Sequence, residues 1–149
     1  MLNVRKTKGF TLVEILIVVI ILGILAAIVI PQFTNASQDA RQSSLKSLLQ
    51  TLRSQIELYK LQHGDSLPDL VTNWNPMTQT STYGNPPKTL GPYMQAVPVN
   101  PLNGNNNVVS GTGAAAVGTA CGFVYDDGAA GGTGRIYGTD TDGKSIFAE

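Results

Sequence analysis

The sequence is poor in the residues from which reactive sites are built: its 149 residues hold one cysteine, one histidine and one tryptophan. With Cys121 alone, no intramolecular disulfide can close a loop. A small apolar side chain buried in the core is the preferred role for that thiol, ahead of a reactive or intermolecular one. No Gly-x-Ser-x-Gly, paired-cysteine or phosphate-loop motif occurs, and no nucleophile, base and orienting group can be assembled from what is present, so the sequence points to no enzyme active site. Excess positive charge is missing as well. The formal net charge is zero, and three of the ten basic residues precede residue 9, leaving seven basic against nine acidic residues from Pro31 onward. A mildly acidic domain argues against a nucleic-acid partner, which usually needs a basic face. Finally, Gly and Pro are absent from residues 33–62, and polar residues from 15–22 and 24–30.

That last absence marks the dominant feature. Residues 10–30 form a run of 21 residues broken in polarity only near its start. As a helix they reach about 31 Å, the thickness of a bilayer's hydrocarbon core. Many are β-branched, but in lipid a lone segment must pair its backbone groups internally, so a helix is expected. Arg5, Lys6 and Lys8 precede the run and no basic residue lies within it. This asymmetry predicts a single-pass anchor with a cytoplasmic N-terminus and the remaining chain across the membrane. Glu14 does not fit a plain anchor. Ionised in the apolar layer it costs about 2.5–3.5 kcal/mol, less if it reaches the headgroups. It either snorkels, is protonated, or meets a cation. A cut between Gly9 and Phe10 would remove the basic leader and create an α-amino group four residues before it.

The heptapeptide Lys8-Gly9-Phe10-Thr11-Leu12-Val13-Glu14, joined directly to the apolar run, resembles the processing and methylation signature of type IV prepilins and of type II secretion pseudopilins. The resemblance implies that Gly9 is the last leader residue for a prepilin peptidase, that Phe10 becomes the N-methylated mature terminus, and that Glu14 pairs with the terminal amine of a neighbouring subunit. It further implies a helix that waits in the inner membrane and is then drawn by an inner-membrane assembly platform into a filament, a homo-oligomer joined by other pseudopilins or pilins. A helix apolar all round suits either lipid or copies of itself. An ordinary secretory signal peptide shares the basic and apolar regions, but Ala26-Ala27 followed by Ile-Val-Ile-Pro is a poor cleavage site, and Glu14 interrupts the start.

Past Pro31, which would normally kink or stop a helix, the pattern resumes. Leu45, Leu48, Leu49, Leu52, Ile56 and Tyr59 fall on one helical face. One long helix to about Gln62 is predicted, about 80 Å if fully helical, its first half soluble in lipid and its second half amphipathic. Leu58 and Leu61 lie off the stripe and are free for a second contact. His63-Gly64 supplies a helix stop, with Gly in the left-handed conformation and His63 as a surface cap suited to the helix dipole. Residues 65–103 hold seven of the eight prolines and show no period, which predicts an ordered connection wrapping the helix, anchored by Trp74, Tyr83 and Tyr93. Eleven of the sixteen glycines follow from Gly104 on. The stretches 105–107 and 111–118 read as surface loops, and the apolar runs 121–125, 135–137 and 145–148 read as an antiparallel meander over the helix stripe.

The exit 58–64 with Pro68 is similar to the helix exit of pseudopilins. Residues 91–104, beginning Gly-Pro-Tyr, resemble a major-pseudopilin segment, with Asn100 where Asp is usual and Leu102 where an aromatic is usual. Together with the missing disulfide pair, this favours a type II secretion pseudopilin over a type IV pilus subunit, which stays open. So does a membrane-tethered binding module that never polymerises. Asp140 and Asp142 carry the alternate carboxylates of a calcium loop, and some pseudopilins bind calcium near the C-terminus. The distal Glu of a full loop is absent, however, and a solvated turn accounts for the same residues. No other cofactor is implied. The expected fold is α+β and pilin-like: leader 1–9, apolar helix 10–30, amphipathic continuation 31–63 and a globular domain 64–149 built on a small antiparallel sheet with long loops.

Overall fold

The computed structural model describes residues 9–113, 118–128 and 132–148. The leader cations Arg5, Lys6 and Lys8, the centre of the 111–118 loop and part of the turn after Asp127 lie outside the described residues. The first helix, α1, spans Leu12–Gln62 with Pro31 inside it. The chain forms two compact units, residues 1–39 and 40–149. In the first, α1 is exposed on every side: Ile15, Leu22 and Val29 keep 52%, 58% and 50% of their surface. Its mean hydropathy reaches 3.3 over 18 residues, making α1 apolar and long enough to cross a membrane.

In the second unit α1 has one face turned inward. Leu45, Leu49, Leu52 and Ile56 are buried, with Leu48 and Tyr59 packed at the margins. Full burial of such side chains stabilises the fold by about 1.5–3 kcal/mol each. The helix stops as the sequence predicts. Gly64 adopts φ +62°, and the Asp65 amide donates back to Lys60 O at 2.9 Å, the bond of a Schellman cap.

The proline-rich connection has more structure than its sequence shows. It carries a short helix α2 (Asn75–Thr78) and a hairpin of β1 (Ser81–Tyr83) and β2 (Lys88–Leu90). The hairpin buries none of its side chains, four of the six being exposed and Ser81 and Leu90 intermediate, so no apolar alternation announces it. Leu70, Trp74 and Met77 enter the core, with the Trp74 ring edge-on to Phe123 at 5.7 Å. Tyr93 is half-buried against it, whereas Tyr83 stays 43% exposed and is no core anchor.

The second sheet corrects the expected meander. β4 (Phe123–Tyr125) pairs antiparallel with β5 (Ile136–Gly138) as predicted, but its other neighbour is β3 (Val108–Ser110), running parallel. The run 145–148 contributes one bridge, Thr139 to Ile146. Twelve residues separate β3 from β4, enough for the crossover that a parallel pair demands. Val108 and Val109 were hidden by the asparagines before them, while the polar loop from Asp140 to Lys144 leaves the last run too short to pair at length. The sheet lies close on α1: a Cβ at Gly138 would stand 2.9 Å from Leu45 Cδ2. Arg53 Nε and Nη2 both donate to Ile136 O, at 3.1 and 2.8 Å.

Candidate functional site

Gly9 and Phe10 precede α1 as non-helical, exposed residues, with Phe10 keeping 82% of its surface. A Cβ on Gly9 would meet nothing within 4 Å, so the folded chain itself sets no demand for glycine there. Thr11 is the N-cap of α1, and Glu14 stands at the third helical position. Glu14 Oε2 accepts from both the Thr11 amide and the Thr11 hydroxyl at 2.8 Å, while the Glu14 amide donates to Thr11 Oγ1 at 3.3 Å. This reciprocal capping box satisfies amides that a helix start otherwise leaves without partners. In lipid, where water cannot stand in, that service gains weight. Among the described residues Thr11 is the only hydrogen-bonding partner of the carboxylate. The Thr-x-x-Glu spacing is the local sequence signal of this box.

The aspartates near the C-terminus are engaged differently. Asp142 Oδ1 accepts from the amides of Lys144 and Ser145 at 2.8 Å each, and Oδ2 from the Ser145 hydroxyl at 2.6 Å. The Ser145 hydroxyl first, then those amides, hold the Asp142 carboxyl down at about 2. Asp140 Oδ1 accepts from the Thr141 amide at 2.7 Å. Asp126 is likewise occupied within its own turn, by the Thr133 amide and hydroxyl at 2.9 and 2.8 Å. Nearby backbone oxygens are taken by side-chain amides. Asn100 Nδ2 donates to Gly122 O and Thr139 O at 2.8 and 2.7 Å, and Asn103 Nδ2 lies 2.9 Å from Asp140 O and 3.2 Å from Cys121 O. Among the described residues no three of His, Cys, Asp or Glu gather to hold a metal. At Asp142 both carboxylate oxygens already accept hydrogens from Lys144 and Ser145, so a calcium ion there would have to share or displace those bonds.

Asn100 itself is the residue that sequence reasoning most undervalued. It is fully buried, and its Oδ1 accepts from the Leu102 amide at 2.9 Å, so one side chain joins the 100–104 turn to the residue just before β4 and the residue just after β5. Cys121 is fully buried beside this knot, and burial pushes its thiol pKa up, which makes it inert.

His63 is buried at 5% exposure, where a surface cap was expected. Its ring stacks on Tyr59 at 3.8 Å, Nδ1 lies 3.0 Å from Tyr59 O, and Nε2 lies 2.9 Å from Ser81 Oγ. A carbonyl only accepts, so Nδ1 carries a hydrogen, while Nε2 is joined to the Ser81 hydroxyl, which can donate or accept. Because Nδ1 is bound to the helix's own backbone and not to a carboxylate, the pair serves to tie the end of α1 to the hairpin.

Comparison with known proteins bears on the N-terminal element directly. Residues 4–30 match the prokaryotic N-terminal methylation motif. Over 100 residues the chain is 35% identical to the type II secretion system core protein G of Pseudomonas aeruginosa, an alignment covering 65% of this chain and 69% of that protein. Core protein G of Aeromonas hydrophila is 29% identical over 99 residues, covering 65% and 68%. A ComG operon protein 3 homolog of Bacillus licheniformis is 34% identical over 62 residues, covering 42% of this chain and 64% of that one. No solved structure matches the chain.

Proposed function

The chain belongs to the family of type II secretion system core protein G, and from that membership we propose how its own residues carry the role of a pseudopilin. It is a structural subunit of a filament of the type IV family, made as a prepilin and assembled through its N-terminal helix; no reaction is assigned to it. The apolar N-terminal helix anchors it in the inner membrane. Its partners there are other pseudopilins, the prepilin peptidase that also methylates, and the assembly platform.

Cleavage falls between Gly9 and Phe10. Support comes from the position of both residues in exposed, non-helical chain ahead of the Thr11 cap, within reach of an enzyme, and from a glycine that the fold does not require. Phe10 then bears the new α-amine and its methyl group. The first nine residues stay cytoplasmic until cleavage and residues 64–149 lie in the periplasm, as the leader cations favour.

The observation that carries the assembly reading is the exposed apolar face of α1, interrupted by a single carboxylate in its first turn. Such a helix is stable in lipid or among like helices, and Glu14 then meets the amine at Phe10 of a neighbouring copy. Mass analysis of the protein from its native host tests the processing. A chain beginning at N-methylated Phe10 is expected, and one still beginning at Met1 overturns it. A tethered module that never polymerises is separated by Glu14→Ala, which a monomer tolerates and a filament subunit does not.

A further inference from the structure

Asn103-Gly104 is the single asparagine–glycine pair of the chain. Such a pair can modify itself in water. No side chain shields the Gly104 nitrogen; once its proton has passed to water, it can bond to Asn103 Cγ, while Nδ2 takes up a proton and leaves as ammonia. Water then opens the cyclic imide at either carbonyl, giving an aspartate or an isoaspartate at position 103. The net exchange is a water consumed and an ammonia released, with no enzyme or oxidant required. Asn75, Asn85 and Asn100 are barred from this route, because each precedes a proline and so lacks the attacking amide.

In the folded chain every group that this reaction must move is already engaged. The Gly104 amide donates to Asn100 O at 2.8 Å. Nδ2 of Asn103, the leaving group, reaches Thr139 Oγ1 at 2.8 Å, Asp140 O at 2.9 Å and Cys121 O at 3.2 Å, and Oδ1 accepts from the Asn105 amide at 3.0 Å. These partners come from three separate stretches of chain, so the carboxamide is free to turn onto the Gly104 nitrogen only after the turn opens. Gly104 itself is exposed, and a Cβ there would meet nothing within 4 Å; its φ of +74° alone favours glycine. The pair is protected by hydrogen bonds and not by burial.

We propose that Asn103 is a site of self-modification that is locked while residues 100–105 are folded and released by unfolding, so that the chain keeps a covalent record of time spent unfolded. The inference is independent of assembly. The record also acts on the fold. An ionised carboxylate at position 103 only accepts, and it would face the carbonyl oxygens of Cys121 and Asp140 to which the carboxamide now donates. The isoaspartate form further lengthens the backbone of the turn by one methylene. A chain altered there refolds, if at all, to a less stable domain.

The test takes the full unaltered chain in mild detergent, at mildly alkaline pH, in two portions: one folded, one in guanidinium chloride. Both are sampled over days and digested for peptide mass analysis. The mass gain of amide-to-acid conversion is expected at position 103 of the denatured portion, ahead of Asn105, Asn106 and Asn107. In the folded portion it should appear about a hundredfold or more slowly, because it waits on opening of the turn. After the denaturant is removed, the fraction melting at the original temperature should fall in step with the modified fraction. Asn103→Asp, never denatured, should melt lower or show no cooperative transition. Equal rates in the two portions overturn the lock, and an unmodified position 103 in the denatured portion overturns the site. Original melting behaviour in the aged chain or in Asn103→Asp overturns the effect on the fold.

Discussion

Glu14 Oε2 lies 2.8 Å from the amide and 2.8 Å from the hydroxyl of Thr11, so the carboxylate proposed to meet a neighbouring copy's amine also caps its own helix. The two duties are separable by substitution. Glutamine at position 14 can still accept from Thr11, as Gln does in natural capping boxes, but carries no charge. Glu14→Gln should therefore keep the helix start yet fail to assemble, as is expected of Glu14→Ala. Thr11→Ala should cost about 1 kcal/mol of capping and reduce filament yield only partly. Filament counts for the three variants, normalised to processed protein, decide it; wild-type yield from Glu14→Gln would remove charge pairing from the account.

Asn100 is predicted to be among the most sensitive positions of the domain. Asn100→Ala leaves Thr139 O and the Leu102 amide without the partners they now have, and takes from Gly122 O one donor while the Thr139 amide and hydroxyl still reach it. Each stranded group costs about 1–3 kcal/mol, so thermal unfolding should fall by many degrees. Asn100→Asp keeps the size and the acceptor but loses both donors, and its charge faces two carbonyl oxygens. It should be unstable at neutral pH and partly recover as pH falls and the carboxyl is protonated. Near-wild-type melting of either variant would dismiss the knot as a stabilising element.

The contrast between Leu45 and Asn100 shows what the sequence made legible. Leu45 and its stripe were readable because helical periodicity is local: spacing alone places four side chains on one face. The stop at Gly64 was readable for the same reason, since a left-handed cap is a property of one residue. Asn100, His63 and Val108 were not, because each acquires its role from chain far away: Asn100 from Thr139, His63 from Ser81, Val108 from Phe123. A polar residue's spacing does not say which carbonyl will meet it, and a parallel strand pair leaves no turn between its members to betray it. At the N-terminus the box of Thr11 and Glu14 is fully local, and its Thr-x-x-Glu spacing carries it in the sequence.

Tyr125 offers a test of the opposite sign. Its ring is fully buried and its hydroxyl has no hydrogen-bond partner among the described residues, while burial, reinforced by the charges of Asp127 and Asp126, raises its pKa far above the usual range. Removing an unsatisfied buried hydroxyl relieves a penalty of about 1–3 kcal/mol, and most of the ring's packing survives. Tyr125→Phe should thus melt at the same temperature as the wild type or higher. A clear loss of stability would mean that the hydroxyl is hydrogen-bonded in solution, through an ordered water for instance.

The loop at Asp142 is predicted to depend on pH and not on calcium. Hydrogen bonds from Ser145 and Lys144 hold the carboxyl at about 2, against an ordinary 3.8, so the folded chain binds that proton less readily than the unfolded one. Its stabilising contribution is therefore complete above about pH 4 and fades as pH falls toward 2. Other carboxylates titrate over the same range, so the informative quantity is the difference in melting temperature between the wild type and Asp142→Asn. That difference should be constant from pH 7 to 5, shrink below pH 4 and vanish near pH 2. Because both oxygens of Asp142 are already occupied by donors from its own loop, millimolar calcium followed by a chelator should leave the wild-type melting temperature unmoved. A rise with calcium that the chelator reverses and that Asp142→Asn lacks would show binding to the folded state, and would mean that the loop gives up its own hydrogen bonds to coordinate the ion.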